Sequence, residues 1–505
     1  MRTDLPAAVR RHGTLILALG LAGAAGVLNA MGRSLRLDEA FTLNTALRPL
    51  SQTMHQALYF EQQPALYFML VNLWLHVSRS FVWGRLFSTL CILGTIAVLA
   101  RIAAEFELRQ RWVSLPLLAA LCPYLLWAAS DLRTYALVML LNSLATLFWI
   151  RVWIIGTERP FRDAGLYTLC AYLALMSFYY SGFLIAAQLL AALIWSRERR
   201  LALFAGGALA LMLTPWIAVI RTQVGMHIRG TFDQPGQGGI FGRGLALGWT
   251  TLGIFYKNLL GGSLLERSYL LAGLAVLTAG LAAARARWGE ARWPREGLMI
   301  ATAALLPFAL LMVLDINNLV LVADRHRGII LPPVLIGLAL LLARLPARRR
   351  ALPAVAVTGT FAFFALTFMR TNTSPQDYKA AAAWVTAREH PGEPVFFFDN
   401  VGVLPFRPYY RGPNTLAGLP RDYTTEEWSV QVRRLRSEAQ LDARVRELVR
   451  PGGGFWVVER RYQGRQLRPE VLAGFIRNHT AVLDSTRVSG LTVFHLALPA
   501  PGAGP

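Results

Sequence analysis

The chain has 505 residues, is 55% hydrophobic and has a mean hydropathy of +0.42. Those values exclude an ordinary water-soluble globular protein and point to a series of bilayer crossings of ~20 residues each. The net charge of +22 is almost all arginine, with lysine only at Lys257 and Lys379. In a soluble chain that excess would suggest nucleic acid. In a membrane chain the positive-inside rule accounts for it, and no nucleic-acid partner is expected.

A short basic start, Arg2 to His12, leads into an apolar run over about 13–31. No small-x-small cleavage site follows it, so it reads as a retained first helix with its N-terminus inside. A loop over 32–81 comes next and carries Asp38, Glu39, His55 and Glu61. The gapped apolar residues Leu47, Leu50, Met54, Leu58 and Phe60 suit a helix lying along the membrane surface. Pro64 opens a further amphipathic helix that ends near His76.

Apolar runs follow at about 82–104, 112–129, 134–155, 164–178, 182–196, 201–220, 268–284, 297–314, 327–343 and 351–369. With the first, about eleven crossings are expected, which places the C-terminus outside. The short segments assigned to the inner side carry most of the arginine, as the positive-inside rule requires. The outer loop 221–267 is Gly-rich over 236–244, then apolar over 245–260, which suits a binding loop or lid. Cys91, Cys122 and Cys170 all lie in apolar runs without metal-ligand spacing and read as buried packing residues.

From Thr371 onward charge rises and long apolar runs end. Helices are expected over 376–390, 424–449 and 469–478, and short strands over 395–398, 455–458, 481–483 and 491–496. That alternation indicates a small α/β domain. The expected division is a membrane domain over 1–370, an extracytoplasmic α/β domain over 371–498 and a disordered tail over 499–505.

Several outward-facing polar groups flank the apolar runs: Asp38 and Glu39, His55, Glu61, Asp131, Arg133 and Tyr135, Lys257, and Asp324, Arg325 and His326. Charge beside hydrocarbon is costly, so each is a functional candidate. Structural alternatives exist for each. Asp38 is a preferred residue for capping a helix, Arg133 can pair with Asp131, Tyr135 can anchor at the interface, and Lys257 can snorkel. Arg85, inside an apolar run, reads as structural.

Leu37-Asp38-Glu39-Ala40-Phe41-Thr42, Gln63-Pro64-Ala65-Leu66-Tyr67-Phe68 and Ser130-Asp131-Leu132-Arg133-Thr134-Tyr135-Ala136-Leu137 resemble successive motifs of the GT-C glycosyltransferases. The branch is the one related to protein O-mannosyltransferases and the lipid A aminoarabinose transferase. Arg325-His326-Arg327 with Pro332 resembles that family's later Arg-Tyr motif, and Asp377-Tyr378-Lys379 with Trp384 its outer domain. Gln63 and His326 depart from the usual residues. The resemblance implies a polytopic GT-C fold. It implies transfer of a sugar from a polyprenyl-phosphate donor to the hydroxyl of a lipid, glycan or protein acceptor, at the outer face of the cytoplasmic membrane. On that basis Asp38, with Glu39, is the expected catalytic pair and Asp38 the base. Arg133, Lys257 and Arg325 are expected at the donor phosphate, and Tyr135, Glu61, His55, Asp131 and His326 at the substrate. No motif calls for a cofactor, and a divalent metal is compatible with His55 and the acids. Phosphate leaves without needing a proton, so one carboxylate base suffices and direct attack inverts the anomeric carbon. The competing reading is a lipid or lipid-linked-sugar flippase, which favours ionisable groups along a path through the bilayer centre. A membrane scaffold is a third.

Overall fold

The computed structural model describes residues 7–106, 108, 115–223, 295–316, 324–343, 347–371, 374–424, 437–460 and 469–500. Lys257, the Gly-rich loop, the apolar stretch 245–260 and the crossing expected at 268–284 lie outside these residues. The chain forms two compact units, one of residues 1–31 with 49–371, the other of residues 32–48 with 372–505. The segment 32–48 therefore belongs with the C-terminal residues, although membrane helices flank it in sequence.

The first unit is helical. Its helices are Ala7–Gly32, Leu50–Tyr59, Leu66–Leu75, Phe81–Glu105, Leu115–Ala120, Pro123–Ala129, Tyr135–Trp149, Pro160–Leu175, Ser181–Trp195, Arg199–Leu213, Arg295–Ile316, Leu331–Ala343 and Ala347–Thr371. Among the described residues, five helical spans are long and apolar enough to cross a membrane: 13–32, 81–105, 135–155, 199–223 and 351–370. The chain is thus a multi-pass membrane protein. The run expected unbroken over 112–129 is two helices, because Pro123 has no N–H to give the preceding turn and opens a new helix instead. The helix over 135–149 continues as a π-helical turn to Ile155. It is the most enclosed span, packed between the helices over 81–105 and 160–175.

Side-chain hydroxyls inside this unit satisfy backbone carbonyls that no water reaches, as a bilayer demands. Ser88 Oγ donates to Asp131 O at 2.7 Å and Thr89 Oγ1 to Ala129 O at 2.7 Å. Arg85, fully buried, donates Nη1 to Ala30 O at 2.9 Å and lies over the Phe81 ring, which agrees with a structural role. Trp74 and Trp83 stack at 4.7 Å and exchange indole-to-carbonyl hydrogen bonds of 2.8 and 3.0 Å. The three cysteines are free and buried.

The second unit is built on a five-stranded sheet. Its strands are β1 (Val395–Phe398), β2 (Leu416–Gly418), β3 (Gly454–Arg460), β4 (Ala481–Val488) and β5 (Leu491–Ala497). The order is β2-β1-β3-β5-β4, with β1 parallel to both β2 and β3, and β5 antiparallel to β3 and β4. Every residue of β1 is buried, because both faces of the sheet are covered. Phe396 and Phe398 pack on one side with Leu441, Leu472 and Phe475. Val395 and Phe397 pack on the other with Tyr378, Val385 and Phe406. β2 was not expected; three residues carry too little alternation to show a period. Of the helix expected over 424–449, the structure describes Glu438–Arg446 as helical, and 425–436 lie outside the described residues.

At one end of this sheet the indole of Trp456 stacks on the His495 ring at 4.0 Å, and both reach Glu393. Trp456 Nε1 donates to Glu393 Oε2 at 2.9 Å, His390 N donates to the same oxygen at 3.0 Å, and His495 Nε2 lies 3.2 Å from Oε1. Burial alone would raise this carboxyl. The His390 amide, Trp456 and His495 outweigh it and hold Glu393 below its ordinary value of 4.5. A carboxyl depressed on folding stabilises the fold above its unfolded pKa, and that contribution is lost as pH falls through the folded one. Glu393→Gln should lower the unfolding temperature at pH 7 and flatten its fall below about pH 4.5. An unchanged acid limb in thermal melts of the full-length variant would refute this account.

Candidate active site

Two groups of predicted residues take definite positions, one in each unit. In the first unit the turn over 130–134 joins two buried helices. Arg133 N donates to Asp131 O at 2.8 Å, and Thr134 Oγ1 donates to Ser177 O at 3.0 Å. The turn is thereby tied to the next turn, over 176–180. Asp131 and Arg133 are both buried. Arg133 Nη1 faces Glu61 Oε2 at 3.4 Å, with side-chain exposures of only 9% and 2%. That spacing is longer than the 2.7–2.9 Å of a close charge-assisted bond. A guanidinium this deep needs a carboxylate nearby, since an isolated buried charge would cost several kcal/mol.

Glu61 is delivered by a tight turn. Glu61 N donates to Gln56 O and Gln63 N to Ala57 O, while Gln62 adopts φ +54. Leu66 N then donates to Met176 O, which pins the following helix to the second turn. Gln223 Nε2 donates to Leu58 O at 2.7 Å and its Oε1 accepts from Tyr179 Oη at 2.7 Å. Hydrogen bonds from three distant parts of the chain therefore support the Glu61–Arg133 pair.

An aromatic group begins at Tyr135, two residues after Arg133. Tyr135 lies 5.2 Å from Trp127 and 5.8 Å from Phe178, and His326 lies 5.5 Å from Phe178 and 4.6 Å from Tyr180. Tyr135 and His326, far apart in sequence, thus meet through Phe178. Arg325 is half-buried, and its carbonyl accepts from Tyr124 Oη at 2.8 Å. His55 is exposed and its ring lies 4.8 Å from that of Tyr59 of its own helix, tilted at 39°; the structure does not bring it to this cluster. Sequence reasoning missed Tyr124, Phe178 and Tyr180. The signal available was the Phe178-Tyr179-Tyr180 run at a short turn between apolar stretches.

Asp38 and Glu39 belong to the second unit, in the first turn of the helix Leu37–Ala46. The residue before that helix is Arg36, so Asp38 does not cap it. Glu39 has that role: Arg36 N donates to Glu39 Oε2 at 2.9 Å, and Glu39 is fully buried. Asp38 is partly exposed, at a helix position whose amides favour an anion, and its carbonyl accepts from Thr42 Oγ1 at 3.2 Å. The preceding residues are tied to the α/β part of the unit. Ser374 Oγ donates to Ser34 O at 2.6 Å, Lys379 N to Ser34 Oγ at 3.2 Å, and Leu35 N to Tyr409 Oη at 2.7 Å. Among the described residues no three His, Cys, Asp or Glu side chains form a metal-binding group.

No family model and no curated protein sequence matches the chain. Solved structures do. ArnT from Cupriavidus metallidurans in the apo state superposes with a TM-score of 0.59 at 15% identity, covering 96% of this chain and 98% of that one. The same protein bound to undecaprenyl phosphate gives 0.58 at 14% identity with the same coverage. The fold therefore resembles that of ArnT over 96% of the chain.

Gly328 tests the packing of the cluster. A Cβ there would lie 2.0 Å from Tyr124 Cζ, so Gly328→Ala must displace a ring held by Trp127 and by the Arg325 carbonyl. A loss of about 1–3 kcal/mol is expected. Melts in detergent should show that Gly328→Ala costs much less in a Tyr124→Ala background. Simple additivity of the two would contradict the contact.

Proposed function

We propose that the chain is a membrane glycosyltransferase that moves a sugar from a polyprenyl-phosphate donor to an acceptor hydroxyl at the outer face of the cytoplasmic membrane. The observation that carries this reading is the likeness to ArnT over 96% of the chain, one of those structures holding undecaprenyl phosphate. The buried Arg133, paired with a carboxylate and followed by the aromatic group that begins at Tyr135, suits the same class of ligand.

In this reading the acceptor O–H gives its proton to the Asp38 carboxylate as its oxygen attacks the anomeric carbon. The bond from that carbon to the phosphate oxygen breaks, and its electron pair leaves with the polyprenyl phosphate. The configuration inverts. Charge growing on the phosphate is met by cations, for which Arg133, Lys257 and Arg325 are the candidates. Tyr135 and His326 share a wall that suits the flat faces of a sugar or the first isoprene units of a donor. Glu61 and Asp131 support the cation and its turn. Glu39 keeps the Asp38 helix capped. A flippase would favour ionisable residues along a path through the bilayer; Glu61 and Arg133 both sit at turns between helices.

The test is transfer from a panel of radiolabelled polyprenyl-phosphate sugars in membranes. Wild type should move label from one donor. Asp38→Asn should lose at least roughly a hundredfold in rate while expressing normally, the loss of a general base. Arg133→Ala should lose rate as well, by a comparable factor. Near-normal transfer by Asp38→Asn would remove Asp38 from the mechanism.

A further inference from the structure

The α/β part of the second unit carries no group assigned to the reaction, yet the helix bearing Asp38 is fastened to it. Leu35 is fully buried, so its N–H has no water to fall back on, and it donates to Tyr409 Oη at 2.7 Å. Asp38 follows three residues later. At about 3.3–3.6 Å per extended residue there is little slack between that bond and the carboxylate. Tyr409 is itself rigidly placed. β1 ends at Phe398, a short 3-10 turn over 400–402 follows, and the helix Val403–Phe406 leads to Tyr409, whose N–H donates to Phe406 O at 3.0 Å. The helix Leu37–Ala46 packs on Val403–Phe406. The root of this connection is locked by a buried ion pair, Asp399 Oδ2 with Arg460 Nη2 at 2.6 Å, which ties the end of β1 to the end of β3.

We propose that Tyr409 is a positioning residue: by accepting the Leu35 N–H it transmits the rigidity of the sheet to the Asp38 helix and sets where the carboxylate sits. The proposal rests on the reading of Asp38 as the base. It gives the α/β domain a definite task, as the scaffold of the base. A phenylalanine at 409 keeps the ring and its packing but leaves a buried amide without this acceptor, and the segment shifts to find another. A displacement of about 1 Å in a reacting group costs up to roughly a hundredfold in rate.

The experiment uses full-length wild type, Tyr409→Phe, Ser34→Ala and Asp38→Asn in detergent or nanodiscs. Hydrogen exchange by mass spectrometry is read alongside transfer from the polyprenyl-phosphate sugar that wild type accepts. Tyr409→Phe should speed exchange over residues 33–41 while β1 and β3 stay protected. Its kcat should fall by roughly ten- to a hundredfold with the donor KM within about twofold. It should add nothing to Asp38→Asn. Ser34→Ala, which breaks the neighbouring clamp, should act in the same direction more weakly. Unchanged exchange over 33–41 overturns the proposal whatever transfer does. So does an unchanged kcat, a loss confined to KM, or faster exchange spread through β1 and β3. Transfer by Asp38→Asn at the wild-type rate removes the base assignment and this proposal together, and that arm alone reports it.

Discussion

Each unit of this protein must hold charged or polar groups where water does not reach, and each solves that with short-range hydrogen bonds from distant chain segments. In the membrane unit Ser88 and Thr89 from one helix donate to the carbonyls of Asp131, in the 130–134 turn, and of Ala129 just before it, and Thr134 reaches a carbonyl of another turn. Those hydroxyls satisfy carbonyl lone pairs that water does not reach, where an unmet group would cost several kcal/mol. With the turn in place, Arg133 Nη1 faces Glu61. The neighbouring aromatic residues follow, because Tyr135 begins the next helix immediately after the turn.

The second unit uses a different material for the same purpose. A strand buried on both faces is stiffer than a surface helix, and β1 is buried along its whole length. The Asp399–Arg460 pair sits at the ends of β1 and β3. Burial pushes the Asp399 carboxyl above its usual range and Arg460 pulls against that shift, so neither partner is easily spared. Two short links, at Ser34 and Leu35, carry this order into a segment that follows the first membrane helix in sequence. A helix of ten residues is marginal on its own; its placement has to come from tertiary contacts.

Sequence reading located most membrane helices to within a few residues, because apolar length is a strong signal. It located β1, β3, β5 and the helix at 469–479 for the same kind of reason: short runs such as Val395–Phe398 have flanks that stop them. It missed the break at Pro123 by weighing hydropathy over backbone chemistry. It missed β2, whose pairing to β1 is decided by tertiary contact. Of the motif residues, Arg133 and Glu61 face each other, and Tyr135 and His326 meet through Phe178. The membership of residues 32–48 in the C-terminal unit was not legible. No local pattern shows that the Leu35 amide belongs to Tyr409, 374 residues away.

The pairing of Arg133 with Glu61 bears on the proposed chemistry. A leaving phosphate needs no general acid, so the burden of catalysis moves from proton donors to cations. A cation kept at the edge of hydrocarbon cannot stand bare between turnovers, and a carboxylate that stays close answers that cost. Arg133 Nη1 and Glu61 Oε2 lie 3.4 Å apart, longer than a close charge-assisted bond. In the proposed reaction an arriving phosphate meets a guanidinium already buried beside a carboxylate, so part of the cost of stripping water from the cation is met by the fold. In the proposed reaction Glu61 keeps Arg133 buried and aimed, and the donor brings a further anion to it.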